Sequence, residues 1–204
     1  YGFVQNRNIV DNATKHINQN YVFNIDLKDF FPSVSQARVW KRLQLKPFCF
    51  NVEIASILAG LCCNNSVLPQ GAPTSPMLTN IICEKLDRKL NGLAKRFNLH
   101  YSRYADDITF SSMHNVYQVN SEFRNELQKI ITEQNFTIND KKTRLNKIGD
   151  KQEVTGLVVS DRVNTNKKYI KDIRTVLHNW EKDGYSKANI LFQQIYNTNK
   201  GYVK

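Results

Sequence analysis

Acidic residues are scarce in this 204-residue chain. Its 18 Asp and Glu face 29 Lys and Arg, a formal excess of eleven positive charges with a pI near 9.5. That balance suits a polyanionic partner, nucleic acid before membrane surface. Cysteine is sparse too. Cys49, Cys62, Cys63 and Cys83 form no C-x-x-C pair, so a zinc site is not expected and buried free thiols of a reducing compartment are. No apolar run is long enough to span a bilayer. No signal peptide is visible, and there is neither an internal repeat nor a low-complexity tract. These absences predict a cytoplasmic protein with no membrane partner. Three N-x-S/T sequons, at Asn12, Asn64 and Asn135, are chance matches in an Asn-rich chain. The chain opens on Tyr1 rather than Met and stops in mid-pattern at Lys204, as a fragment of a longer protein would. Its length allows one sizeable core, or one domain plus a piece of another.

What is present alternates between strand and helix patterns. "YVFNIDL" (21–27) is apolar and β-rich, a short buried strand ended by "FFPS". "SQARVWKRLQL" (35–45) reads as a helix capped by Ser35, with Val39, Leu43 and Trp40 on its apolar face. "NVEIASILAGLCC" (51–63) reads as a second, more buried helix capped by Asn51. "LPQGAPTSP" (68–76) holds three prolines and a glycine and cannot be regular structure. After it, Leu78, Ile81, Ile82, Leu86, Leu90, Leu93 and Phe97 recur at helical spacing, predicting a long amphipathic helix that starts near Pro76 with Ser75 as cap. "LHYSRYADDITFSS" (99–112) reads as a hairpin with its acids at or beside the turn. A helix at about 119–134 follows, then a hairpin over 153–164 turning near Ser160 and Asp161. From Lys167 a basic helical pattern runs to a Gly184 C-cap. The order predicts an α+β fold, an antiparallel sheet with helices on one face.

Three acids stand out. Asp26 ends the first strand, and Asp106 and Asp107 sit side by side in the later hairpin. Asp favours turns, so the pair alone is readily explained as turn residues. Asp26 has no such role. If the two segments are neighbours in one sheet, the three carboxylates converge, and clustered carboxylates repel unless a cation neutralises them. Hard oxygen ligands without histidine fit Mg²⁺, and two such ions support nucleotidyl transfer. Asp29, three residues on, is a weaker candidate that is expected to point elsewhere or pair with Lys28 or Arg103.

Five segments, in this order, resemble the motifs of a reverse transcriptase: "NIDLKDFFPSV" (24–34), "LPQGAPTSPMLTNIIC" (68–83), "YSRYADDITFS" (101–111), "FTINDKKTRL" (136–145) and "VTGLVV" (154–159). "NATKH" (12–16) and "VTG" (154–156) resemble elements of bacterial retron enzymes, which are related to group II intron reverse transcriptases. The resemblance implies a right-hand polymerase palm, a ferredoxin-like antiparallel sheet with helices on one face, at residues 21–34 and 76–164. Partial fingers would take 1–20 and 35–75, and a truncated helical thumb would start at 165–204. It implies a polymerase that extends a primer hydroxyl with dNTPs on an RNA template, with two Mg²⁺ ions or Mn²⁺ in their place. For a retron enzyme it implies msDNA synthesis on a cognate structured RNA in phage defence, with an effector protein as a further partner.

The roles follow residue by residue from that resemblance. Asp26, Asp106, Asp107 and the Leu27 carbonyl would hold metal. Phe31 matches a steric gate against ribose, and Gln70 and Gly71 line the nascent pair on a loop stiffened by Pro69 and Pro73. Lys142 matches a lysine that assists the pyrophosphate leaving group. Tyr104 and Ala105 would lie near the primer terminus, and Arg7, Lys167, Lys168, Lys171 and Arg174 would meet template or phosphates. His16 is expected to be a structural contact. The competing readings are a defence-associated or group II intron-like reverse transcriptase, an RNA-binding scaffold with minor or untemplated synthesis, and an RNA-dependent RNA polymerase.

Overall fold

The run "YVFNID" becomes β1 (Tyr21–Asp26), an inner strand, in the computed structural model, which describes residues 1–196. It lies between β3 (Asp107–Ser112) and β4 (Arg144–Lys147), and β2 (His100–Tyr104) flanks β3, giving the order β2-β3-β1-β4. Every pairing is antiparallel. Alternate residues of a strand face opposite ways, so each inner strand has an apolar and a polar side. Phe23 pairs with Phe110 and Ile25 with Ile108, and all four are buried in the main core. Two helices cover that side. α4 (Ser75–Arg96) contributes Ile82, Leu86 and Leu90, and α5 (Glu122–Glu133) contributes Phe123, Leu127 and Ile131. Full burial of each such side chain stabilises the fold by about 1.5–3 kcal/mol, and Phe110 meets Phe123 edge-on at 5.2 Å.

The other side of the sheet is not bare, as a one-sided arrangement would leave it. α1 (Ile9–Thr14), closed by a capping box between Asn8 and Asp11, joins a second small sheet there, where Ala13, Val22, Val154 and Val159 form a separate core. That sheet has the order β5 (Glu153–Val154), β6 (Leu157–Val159), β7 (Val163–Asn164). The 153–164 hairpin therefore has an additional turn. Thr155 and Gly156, both at positive φ, reverse the chain ahead of the turn at Ser160 and Asp161, and two such residues suit the twist of a tight hairpin.

Caps read from sequence hold for α2 (Gln36–Leu43), where Ser35 accepts from the Arg38 N–H, and α3 (Val52–Cys62), where Asn51 accepts from the Ile54 N–H. At α4 the N-cap is Thr74 rather than Ser75, because the Ser75 hydroxyl instead donates to the Pro69 carbonyl at 2.6 Å. The expectation that α3 is the more buried helix is overturned. Only Ala55 and Ala59 are buried, while Ile54, Ile57 and Leu61 are exposed, Leu61 to 79%. Ala55 and Ala59 are its core residues, with Leu58 and Cys62 partly buried beside them.

Residues 1–163 form one compact unit, and a second begins at Asn164. In the second, α6 (Lys167–Asp183), capped by Asn166, ends at Gly184 with a φ of 79° and turns into α7 (Tyr185–Tyr196). Trp180 meets Tyr185 across that turn at 5.4 Å. The segment expected as a thumb, 165–204, extends past the described residues at 197–204. Among the described residues no helix is long and apolar enough to cross a membrane.

Candidate active site

The polar side of the sheet ends in acids. In the β1–β3 register Asp26 lies directly across from Asp107, and Asp106 occupies the two-residue turn between Tyr104 and Asp107. The two segments are thus neighbours in one sheet, and their pairing sets Asp26 against Asp107. Leu27 extends the contact, its N–H donating to the Asp106 carbonyl at 3.0 Å. Burial, and then the neighbouring Asp106 and Asp26, push the Asp107 carboxyl up to about 6. Asp106 is raised as well, chiefly by burial and partly by Asp26.

Asp26 is the most enclosed of the three, 7% exposed. Both its oxygens are engaged. Asn139 donates to Oδ1 at 2.9 Å, and Lys142 Nζ donates to Oδ2 at 3.0 Å. The Asn139 N–H also donates to the Asp26 carbonyl at 2.8 Å, so the "INDKKT" loop is tied to the strand end twice. The Lys142 ammonium is 65% exposed, and its pKa is raised by the hydrogen bond and charge of Asp26. Asp26, Asp107, Lys142 and Arg144 line one cleft of about 300 Å³ with Asn24 and Lys141. Acids at its floor and cations at its rim suit a metal-bound polyphosphate. Among the described residues no three acids, histidines or cysteines are gathered closely enough to bind an ion as a group. The donor chemistry nonetheless fits a hard divalent cation: carboxylates with raised proton affinity and no soft ligand beside them.

The turn holding Asp106 is braced from beneath. Ala105 has a φ of 55°, a conformation that costs a non-glycine residue about 1–2 kcal/mol. Arg103 Nη1 donates to the Ala105 carbonyl at 3.0 Å. The same guanidinium grips Asp87 of α4 through Nε at 2.7 Å and Nη2 at 2.8 Å, and the Tyr101 hydroxyl adds a 2.6 Å bond to Asp87. Arg103 is therefore paired with Asp87 and not with Asp29, whose carbonyl instead accepts from Ser33. From above, Gly2 lies on the turn. A Cβ on Gly2 would stand 2.7 Å from the Ala105 nitrogen, and Asn80 donates to the Gly2 carbonyl at 2.9 Å.

Farther along the polar side, His16 is fully buried between the Ser111 and Ser102 hydroxyls, each at 2.7 Å. Burial lowers its pKa to about 3. It is a neutral pin that fastens the segment after α1 to β2 and β3.

The remaining expected residues are spread out. Phe31 packs beside Phe30 at 5.4 Å on the edge of the main core. Gln70 and Gly71 are exposed on the loop before α4, with Gly71 at a φ of 89° and nothing near its Cα to crowd a side chain. Tyr104 is half-buried near Phe3, at 6.3 Å. Arg7 lies over the Tyr1 ring at 5.5 Å. Lys167, Lys168, Lys171 and Arg174 are exposed on α6 in the second unit. Sequence reasoning missed Asn139, Asp87, Asn80 and Gly2. The only signal for Asn139 was its place in the lysine-bearing segment, and nothing local marked the others.

Residues 1–180 match the family model described as reverse transcriptase (RNA-dependent DNA polymerase). The chain is 41% identical over 180 residues to the retron Ec86 reverse transcriptase of Escherichia coli, covering 87% of this chain and 54% of that protein. It is 35% identical over 196 residues to the retron Mx65 reverse transcriptase of Myxococcus xanthus, covering 87% and 45% respectively. Against the retron Mx162 reverse transcriptase of the same organism it is 32% identical over 212 residues. The chain spans about half the length of these relatives.

Proposed function

The chain belongs to the reverse transcriptase family, and from that premise we propose that it carries the polymerising centre of an RNA-directed DNA polymerase. One observation supports this most directly: Asp26 opposite Asp107, with Asp106 on the adjoining turn. In this reading residues 21–34 and 76–164 are the palm, 1–20 and 35–75 belong to the fingers, and 165–204 begins the thumb. Asp26, Asp106, Asp107 and the Leu27 carbonyl would hold divalent cations, Mg²⁺ or Mn²⁺ in its place. When bound, these ions supply the charge that activates the primer hydroxyl and eases departure of pyrophosphate.

The protein's own groups do the rest. Lys142 neutralises Asp26 and lines the same cleft, where its exposed ammonium would face the leaving phosphates. Asn139 keeps its hold on Oδ1 and fixes the carboxylate's orientation. Arg103 holds the strained Ala105 turn so that Asp106 keeps its position. Phe31 screens out ribose, Gln70 and Gly71 line the new base pair, and Tyr104 and Ala105 meet the primer end. Arg7 touches template, and Lys167, Lys168, Lys171 and Arg174 hold the duplex phosphates. Likeness to retron enzymes supports a cognate structured RNA as template, msDNA as product, a role in phage defence with an effector protein, and a cytoplasmic setting.

The test is primer extension on an RNA template with Mg²⁺, dNTPs against rNTPs, for the protein and its D106N/D107N variant. Templated DNA synthesis that falls at least about a thousandfold in the variant is expected. Incorporation that survives the double change would overturn the proposal. RNA binding without templated synthesis in either protein would favour the scaffold, and equal use of rNTPs would favour an RNA polymerase.

A further inference from the structure

A cleft of about 450 Å³ opens between α2 and α4, in the helical layer on the apolar side of the sheet. Six cations line it: Arg38, Lys41, Arg42, Lys46, Lys85 and Arg88. Glu84 is its one acid. The local excess is five positive charges, against eleven for the whole chain. Like charges brought this close repel, and only a polyanion relieves the repulsion across the full width of the cleft.

The floor and the rim differ. Arg42 is fixed, donating to Glu84 at 2.8 Å and to the Lys46 carbonyl at 2.7 Å. Arg38 donates one N–H to the Gln134 carbonyl at 2.8 Å and lies over the Phe136 ring at 4.9 Å. No carboxylate pairs with Arg38 among the described residues, and burial lowers its pKa. It is a half-buried, oriented guanidinium with donors to spare, the planar kind suited to phosphate. Lys41, Lys46 and Lys85 stand exposed at the rim, and none has an ion-pair partner among the described residues. Arg38, Lys41 and Arg42 come from α2, Lys46 from the loop after it, and Lys85 and Arg88 from α4, so the cations are spread along two helices. That layout fits a line of successive phosphates better than a single small anion.

We propose that the cleft between α2 and α4 docks the phosphodiester backbone of a folded RNA, apart from the acidic cleft where synthesis is proposed. The identity of the polyanion as RNA rests on the functional reading above; the charge and geometry of the cleft do not. Contacts from Lys and Arg to phosphates would position an RNA without reading its sequence.

The experiment uses fluorescence anisotropy with a labelled mixed-sequence RNA hairpin across a salt series. K41E/K46E/K85E is compared with K95E/K129E/K147E, which changes net charge equally at exposed positions away from the cleft. The cleft variant is expected to bind at least tenfold more weakly, with the salt slope reduced by about three, one phosphate per lysine. The control variant is expected to lose less than threefold and to keep its slope. Extension of a short primer–template is expected to persist in the cleft variant, and D106N/D107N is expected to keep full hairpin affinity. Melting temperatures check the fold, and K41Q/K46Q/K85Q, which adds no new charge, must reproduce the slope change. Equal losses in both charge-reversal variants would overturn the proposal. So would short-template extension falling in step with hairpin binding, which would make the cleft part of the substrate path. Binding to phosphatidylserine vesicles with the same lysine dependence, and no hairpin effect, would assign the surface to a membrane. A protein that docks the hairpin here but extends no primer would sink the polymerase reading and leave this one standing.

Discussion

Two acid–base pairs, Asp87–Arg103 and Asp26–Lys142, stand by the Ala105–Asp106 turn and the strand end facing it, and they are built oppositely. Asp87 and Arg103 meet through two bonds of 2.7 and 2.8 Å, with Arg103 only 7% exposed and further tied to Ala105 and Asn80. Asp26 and Lys142 meet through one contact of 3.0 Å, and the lysine is 65% exposed. The first pair is forked, as arginine permits, and buried at its arginine while Asp87 stays partly exposed. The second is a point charge on a flexible stem. A forked buried pair is costly to break, since removing one partner strands the other away from water. A single contact whose lysine stays in water exchanges more readily. The site thus has a fixed brace under the Asp106 turn and a replaceable counterion on Asp26.

The comparison can be broken most severely at the brace. R103A leaves Asp87 half-buried without its cation and is expected to destabilise the protein by about 3–5 kcal/mol in chemical denaturation. R103K restores charge but not the fork and should recover only part of it. If R103A unfolds as the parent does, the brace is not structural. Next comes the counterion. K142A leaves the Asp26 carboxylate, its side chain only 10% exposed, held by Asn139 alone, and is expected to cost about 1–3 kcal/mol without added cation and to slow primer extension about 100-fold or more, the usual range for a lost proton donor. It should also tighten divalent cation binding, measured by calorimetry with Mn²⁺, because Asp26 then lacks its competitor. Weaker binding in K142A would contradict the exchange.

The smallest expected effect is a pH dependence. The folded Asp107 binds its proton more tightly than an unfolded Asp, so its contribution falls as pH rises from about 4 to about 6 and stays low above that. D107N should therefore melt higher than the parent above pH 6, by a margin that vanishes near pH 4. Partial exposure of Asp107 screens and reduces that margin. Mg²⁺ should erase the margin in the parent alone. His16 acts with the opposite sign. Its folded pKa lies near 3, so stability is lost as pH falls below about 6.5, the unfolded value. H16N should flatten that acid limb of the melting profile.

Much of the chemistry was legible because it was local or periodic. The strand "YVFNID", the Ser35, Asn51 and Gly184 caps, and the hairpin around "YADD" each carry their signal within a few residues. The meeting of Asp26 with Asp107 needed only the inference that the two strands pair. The brace was not legible. Asp87 lies mid-helix in α4 and reads as a solvated helix acid, and only the docking of α4 on β2 brings it to Arg103. Asn139 and Gly2 were hidden for the same reason. α3 misled in the other direction. "EIASILAG" is apolar by composition, but composition does not tell whether anything lies opposite its isoleucines. Ser75 failed as a cap because the Pro69 carbonyl competes for its hydroxyl.

Gly2 has a consequence for mutational tolerance. Even a methyl group there would meet the Ala105 backbone at 2.7 Å, and the backbone of a strained turn cannot yield as a flexible side-chain tip would. Gly92, on α4, has nothing within 4 Å of its missing Cβ. In a saturation library selected for primer extension, position 92 should accept most residues, with Ala gaining about 0.4–1 kcal/mol. Position 2 should return almost only glycine, so this residue would be as intolerant of change as the acids proposed to hold metal a hundred residues away.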